Sequence, residues 1–347
     1  SKEQREYLTE RGVKALIWQY GGMPWTNHDG VRDQEGEEEA LKQIEEHFRV
    51  QYSNIPDNAA GYGIDEIGGY PESWFEKKSA ASMKALKWAK QQRPDLFYAV
   101  WCTGGTRDSF GKYFRDAADL VMLEIYIWDA LPKYLHTEDI YKVIRNRVEP
   151  YYRIYDMMVS TYGSPCHTVV GLDVAEAVDL TNLGELEEVV RFIRREFPEL
   201  RGQGWYSGAL YKNEKGELNE PRHQEIVRFA SDLNLKYYIK PCLTLMEHSL
   251  WLERYENGTA TLTAAVSNIG AMDAGPLTVE FFADGKAIGQ VKAGAVPAGP
   301  NRNENRTHFT ITQKLKPGPH IFEARIKDTD HFSTVLTPSV SLTRFVE

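Results

Sequence analysis

Apolar and polar positions along the first 245 residues switch repeatedly between two periods. Short apolar runs at 14–20, 61–66, 97–103, 120–128, 168–173, 203–210 and 235–240 have the length and β-branched or aromatic content of strands. Between them, apolar residues recur at i, i+3 and i+4 over 37–50, 72–92, 109–118, 137–160, 183–197 and 221–233, which predicts helices. Arg93-Pro94 and Pro198 follow helical stretches, and Gly163 precedes a strand, as stop signals should. Strand–helix alternation with short loops builds parallel βα units. Seven strands in this rhythm, one short of eight, fit a (β/α)8-type TIM barrel better than an open doubly wound sheet. No GxGxxG or phosphate-binding loop follows any strand, so the nucleotide-binding reason for an open sheet is missing. The eighth strand is expected to lie upstream of Ser1 or to escape the periodicity.

After residue 246 the rhythm changes. Runs with two-residue alternation at 249–255, 259–267, 277–283, 287–293, 307–314, 320–327 and 339–346 are separated by Asn257-Gly258, Asp284-Gly285 and Pro317-Gly318. Short strands at this spacing predict a small antiparallel β-sandwich, and Asp-Gly between two β-runs is a strong hairpin signal. The expected domains are therefore 1–245, a (β/α)-barrel, and 246–347, a β-sandwich. The join at 241–247 is nearly free of Gly and Ser, which predicts a tight connection. Trp251 and this join are the expected docking points.

Composition narrows the function. The chain has 347 residues, 42% hydrophobic and 12% aromatic, with 8 Trp and 19 Tyr, enough for a sizeable core and for aromatic cleft walls. A net charge of −9 argues against a nucleic-acid partner, which needs a basic footprint. No apolar run approaches the roughly 20 residues of a membrane span. Cys102, Cys166 and Cys242 are widely spaced, form no CxxC and no disulfide framework, and read as buried thiols. There is no HExxH, no His/Cys cluster with zinc spacing and no GxSxG elbow. The expectation is an activity with no cofactor and no metal.

Carboxylates carry the remaining chemistry. In parallel barrels the reactive groups gather at the C-terminal ends of the strands. The second predicted strand ends in Asp65-Glu66, followed by Gly68-Gly69, which let a ligand approach the backbone. In a regular strand two adjacent acids face opposite ways, so both reach one side only if the strand is interrupted there. On the fourth strand Leu123, Ile125 and Ile127 share one parity, and Glu124, Tyr126 and Trp128 share the other. If the apolar set meets the helices, Glu124 points into the barrel, where an unpaired charge is costly unless it has a use. Asp173 closes the fifth strand. Trp18, Gln19, Trp101, Trp205, Tyr206 and Lys240 sit at the remaining strand ends. The catalytic candidates are thus Glu66 as proton donor, Glu124 as second carboxylate and Asp65 as orienting neighbour. Trp18, Gln19, Trp101, Tyr126, Trp128, Asp173, Trp205, Tyr206 and Lys240 are the candidate substrate contacts. Taken one at a time, each aromatic suits core packing as well, and Asp65, Glu66 and Asp173 suit helix or turn capping.

Two resemblances extend this reading. The stretch from Thr263 through Asn268-Ile-Gly270 to the Phe282-Ala-Asp-Gly285 hairpin resembles the CARDB-like immunoglobulin-type modules appended to bacterial surface and secreted enzymes. That resemblance implies a secreted, periplasmic or cell-surface protein. A barrel with strand-end acids, aromatic-rich loops and such a module is similar to TIM-barrel glycoside hydrolases, and Gly63-Ile-Asp-Glu66 resembles strand-end acid pairs such as the Gly-Asp-Glu of hexosaminidases. The His-x-Gly-Gly that precedes that pair in hexosaminidases is absent, as is the Asn-Glu signature of the largest retaining clan. The resemblance implies cleavage of a glycosidic bond in an oligo- or polysaccharide. A non-catalytic glycan-binding barrel, or a divalent-metal-dependent lyase or isomerase built on Asp65, Glu66, Glu124 and Asp173, are the competing expectations.

Overall fold

The computed structural model describes residues 16–20, 36–56, 59–67, 74–102, 117–125, 168–173, 183–198, 202–206, 220–299 and 306–347, together with residues 6, 10 and 200. The predicted helices at 109–118 and 137–160 lie largely or wholly outside them. The chain divides into two compact units: residues 1–179 with 202–210, and residues 180–201 with 211–347.

The first unit is built on six parallel strands, β1 (Leu16–Tyr20), β2 (Gly61–Ile67), β3 (Phe97–Cys102), β4 (Leu120–Ile125), β5 (Thr168–Asp173) and β6 (Gly202–Tyr206), hydrogen-bonded in chain order. Sequential order in a parallel sheet follows from repeated right-handed βα crossovers. Helices α1 (Glu37–Ser53) and α2 (Trp74–Gln92) supply two of them. The α1 stripe Ala40, Ile44, Phe48 and Tyr52 has helical spacing and is fully or almost fully buried. It meets α2 and the sheet in one apolar cluster with Tyr62, Ile64, Ile67, Tyr98, Val100, Cys102 and Val121. Three acids, Glu37, Glu38 and Glu39, open α1, where they complement the helix dipole, and Glu37 pairs with Lys77 of α2. At the entry to β3, Asp119 accepts the Tyr98 amide at 2.9 Å and the Lys90 ammonium at 2.5 Å, fastening the start of β4 to α2. Gly61 is required where β2 begins its pairing with β3, because a Cβ there would sit 1.7 Å from the Phe97 carbonyl oxygen.

Among its described residues the second unit contains α3 (Gly184–Glu196), α4 (Glu220–Asn234) and nine strands. Four of the strands, β10 (Leu277–Ala283), β11 (Lys286–Ala293), β13 (Gly318–Asp328) and β15 (Ser339–Val346), form an antiparallel sheet in the order β11-β10-β13-β15. The other sheet runs β12-β9-β7-β14, from β12 (Arg306–Lys314), β9 (Thr259–Asn268), β7 (Cys242–Thr244) and β14 (Thr334–Thr337), with β8 (Leu250–Glu256) also on β9. Inward-facing Leu262, Ala264, Val266, Val279, Phe281, Phe309, Phe322 and Ala324 close a core between the sheets. The tight turns are as expected. Asn257 and Asp284 both have φ of 51°, followed by Gly258 and Gly285 at 70° and 75°, the positive angles that two-residue hairpins require. Trp251, read as a docking residue, makes its ring contact inside this unit, edge-on to His308 at 5.6 Å.

One element differs from expectation. Residues 235–240 are not the seventh parallel strand. Helix α4 continues into a π-helical turn, Leu235–Ile239, in the second unit. Neighbours Tyr237 and Tyr238 are both buried while Lys236 and Ile239 are exposed, which strand alternation cannot produce. A short apolar run does not distinguish strand from helix end by periodicity alone. Tertiary bonds decide it: Arg194 donates to the Tyr237 carbonyl, and the Tyr237 hydroxyl donates to Glu187. Burial works against ionisation of Glu187, yet the Lys236 and Tyr237 hydrogen bonds hold its carboxyl below the usual range.

The Asn-x-Gly of the predicted module is a structural device. Asn268, 1% exposed, accepts from the amides of Cys242 (3.0 Å) and Gly270 (3.1 Å), and donates to the carbonyls of Met272 (2.8 Å) and Val296 (3.1 Å). Gly270 follows because a Cβ there would lie 2.0 Å from the Lys240 carbonyl oxygen. Asn268→Ala removes the acceptor of the buried Cys242 and Gly270 amides, while the Val296 carbonyl keeps the Ala274 amide, and a loss of about 2–4 kcal/mol in unfolding free energy is expected in urea melts of the whole chain.

Candidate functional site

The sequence leaves open whether Asp65 and Glu66 reach one side of the sheet. Strand β2 answers this through its register with β3. Ile64 pairs with Val100 and Ile67 with Cys102, with an irregularity between them. Two residues of β2, Asp65 and Glu66, therefore stand opposite the single residue Trp101. This is a β-bulge, which re-aims side chains and recurs beside active sites. Its effect is visible in the core: Ile64 and Ile67, three residues apart, are both fully buried in the same helix-side cluster. A regular strand would have sent them to opposite faces.

Register places the other candidates by backbone row. Tyr20 of β1 pairs with Asp65, and Trp18 with Gly63. Trp101 pairs with Met122. Two residues further along β4, Glu124 pairs with Gly171, which in turn pairs with Gly204. Asp173 pairs with Tyr206. The helix-side rows are marked by Tyr62–Tyr98, Ile64–Val100 and Val121. Positions 18, 101, 124, 173 and 206 fall in the alternate rows. Gln19 is in the row of Ile64, and Trp205 in the row of Leu172, so these two positions do not share the rows of the rest. Tyr126 and Trp128 lie outside the described residues.

The side chains that are described sharpen this. Trp101 is 7% exposed, and it is absent from the helix-side cluster that holds its neighbours Val100 and Cys102. It is thus buried on the other face. Asp65 is half-buried. Lys240 belongs to the second unit, where it caps the π turn and sets its ammonium 4.8 Å from the centre of the Phe332 ring, beside an open cleft of about 630 Å3. Sequence reasoning missed the glycine row beside Glu124. An isolated glycine inside an apolar strand, as in Val169-Val-Gly-Leu-Asp173, was the available signal, since it marks close approach of backbone or ligand. Cys102 and Cys242 are buried free thiols, and burial pushes Cys242 up to about 11. Among the described residues no three His, Cys, Asp or Glu side chains converge as a metal site, and no helix is long and apolar enough to cross a membrane.

Residues 240–331 match the CARDB family model, so the second unit carries a CARDB domain with an immunoglobulin-like sandwich. Solved structures similar to the chain include CARDB domains and glycoside hydrolases. A CARDB domain from Pyrococcus furiosus is 14% identical, covering 32% of this chain and 91% of its own, with a TM-score of 0.24. A tri-modular endo-β-1,4-glucanase from Bacillus licheniformis is 10% identical, covering 99% of this chain and 64% of its own, at 0.40. An endo-β-1,4-mannanase from Cellulomonas fimi is 11% identical, covering 100% and 80%, at 0.35. No curated protein matches the chain.

Proposed function

We propose that the parallel-sheet unit is a (β/α)-barrel that hydrolyses a glycosidic bond, with Glu66 as proton donor, Glu124 as the second carboxylate and Asp65 as orienting neighbour. The observation that carries this is the bulge. At the C-terminal end of a parallel strand, where the chemistry of such sheets collects, it sets two acid positions together opposite Trp101, between the helix-side positions Ile64 and Ile67. The period of a strand would put Glu124 on the face opposite the helix-side core, and its row neighbours Gly171 and Gly204 leave room for a ligand there. Trp18, Tyr206 and Asp173, in the alternate rows, are the substrate contacts this reading favours. Gln19, Trp205 and Lys240 are left out of it.

The spacing of the strands favours one stereochemical outcome. Strands β2 and β4 are two inter-strand spacings apart, roughly 9.5 Å, and Glu124 lies two residues beyond the row of the bulge, so the two backbone positions are roughly 11–12 Å apart. Carboxyls projecting from them suit the ~6.5–9.5 Å of inversion, where a water fits between acid and base, better than the ~5–5.5 Å of retention. The test is release of reducing ends from soluble β-glucans, mannans and aryl glycosides, with proton NMR reading the anomer formed first. Wild-type protein should hydrolyse at least one class with inversion, and Glu66→Gln should not. Hydrolysis that is unchanged in Glu66→Gln removes the assignment. Activity abolished by a chelator transfers it to the metal-dependent alternative.

A further inference from the structure

Trp101 does not fit the role that strand-end aromatics usually take. A platform on which a sugar ring stacks must offer a face to solvent, and Trp101 is 7% exposed. It is also not core on the helix side, where Val100 and Cys102 belong. It is the one residue of β3 opposite the two-residue bulge, and its other sheet neighbour is Met122. The two acid positions therefore lie a single inter-strand spacing from a large, buried apolar residue.

We propose that Trp101 is a positioning residue: its indole walls the Asp65–Glu66 bulge against water and holds the Glu66 carboxyl in its protonated, proton-donating form. The inference rests on the reading of Glu66 as the general acid. Its physical basis is that an apolar wall disfavours the charged form of a carboxyl, and a donor is most effective when its pKa lies near the working pH. Among the described residues, the titratable positions in the neighbouring rows are Asp65 beside it on β2, Tyr20 paired with Asp65 on β1, and Glu124 further along β4. An ionised Asp65 or Glu124 acts in the same direction as the indole, since a like charge also disfavours a second carboxylate.

The experiment reads Glu66 directly and needs no substrate. The whole chain is labelled with 13C at the glutamate carboxyls, and Glu66→Gln assigns the resonance. Its midpoint in wild type should lie at least about one unit above the ordinary glutamate value of ~4.3. Trp101→Phe, which keeps an apolar wall, should hold that position. Trp101→Gln should lower it by about one unit, and in an active protein should move the alkaline limb of the kcat/KM–pH profile down with it. A Glu66 midpoint at the ordinary value in wild type overturns the proposal without any variant. An unchanged midpoint in Trp101→Gln overturns it equally. The two readings fail separately. A raised, Trp101-dependent Glu66 in a chain that hydrolyses no glycan removes the glycosidase and leaves the wall. A hydrolase whose Glu66 ignores Trp101 does the reverse.

Discussion

Replacing Glu124 by Gln is expected to lower kcat by about 10^3-fold, with KM nearly unchanged and the melting temperature within a degree or two of wild type. The substitution keeps shape and hydrogen-bonding reach but removes the charge. If Glu124 is the base that activates water, an amide cannot accept that proton, and general-base contributions are worth about 10^2–10^4. A 10^3-fold loss corresponds to about 4 kcal/mol of transition-state stabilisation. The sheet gives a reason to expect a local effect: on its β5 side Glu124 pairs with Gly171, which in turn pairs with Gly204 on β6. The outcome separates two mechanisms. Near-complete loss supports the Glu66–Glu124 pair. A loss under about tenfold would mean that Asp65 and Glu66 do the proton work on one strand, with the substrate assisting its own cleavage. Single-turnover kinetics on the class hydrolysed by wild type decide between them.

How much of this was legible in the sequence depends on whether the determinant is local. The six parallel strands and the helices at 37–53, 74–92, 184–196 and 220–234 follow from the length and period of their apolar runs. The hairpins at Asn257-Gly258 and Asp284-Gly285 follow from turn chemistry, because few residues besides Gly, Asn and Asp take positive φ. The bulge was legible only as a condition. Gly68 and Gly69 hinted at an interruption, but its position is set by Ile67 reaching the same core as Ile64, a packing fact. Strand β7, three residues long, is too short to carry a period, and it forms only because β9 and β14 flank it. The turn at 235–239 was misread for the related reason that its conformation is held by groups about 40 to 50 residues away, Arg194 and Glu187. Nothing in the Arg194-Arg195 pair at the end of α3 distinguishes a buried hub from an ordinary helix-terminal cation.

Arg194→Met should be the most destabilising single change in the second unit, costing about 3–5 kcal/mol and lowering its melting transition by roughly 10 °C. Arg194 is 1% exposed and has no carboxylate partner among the described contacts. Its charge is met by carbonyl oxygens instead. Nε donates to Tyr237 at 3.0 Å, Nη1 to Pro198 at 2.5 Å and Leu200 at 3.1 Å, and Nη2 to Ile269, while the guanidinium lies 4.6 Å from the centre of the Tyr238 ring. Those four carbonyls come from the chain just beyond α3, the π turn and the end of β9, so one planar fork fastens three segments. Burial pulls the guanidinium pKa down from its usual value, but an arginine stays charged in a protein. Methionine fills the stem's volume but removes the donor from every one of those carbonyls, whose residues Pro198, Leu200 and Ile269 also line clefts beside Arg194. Arg194→Lys supplies the charge but not the fork, so it should recover less than half of the loss. Thermal melts of both variants beside wild type check the argument, and a methionine variant that melts with wild type would mean the carbonyls find other donors and that Arg194 is not what holds the π turn in place.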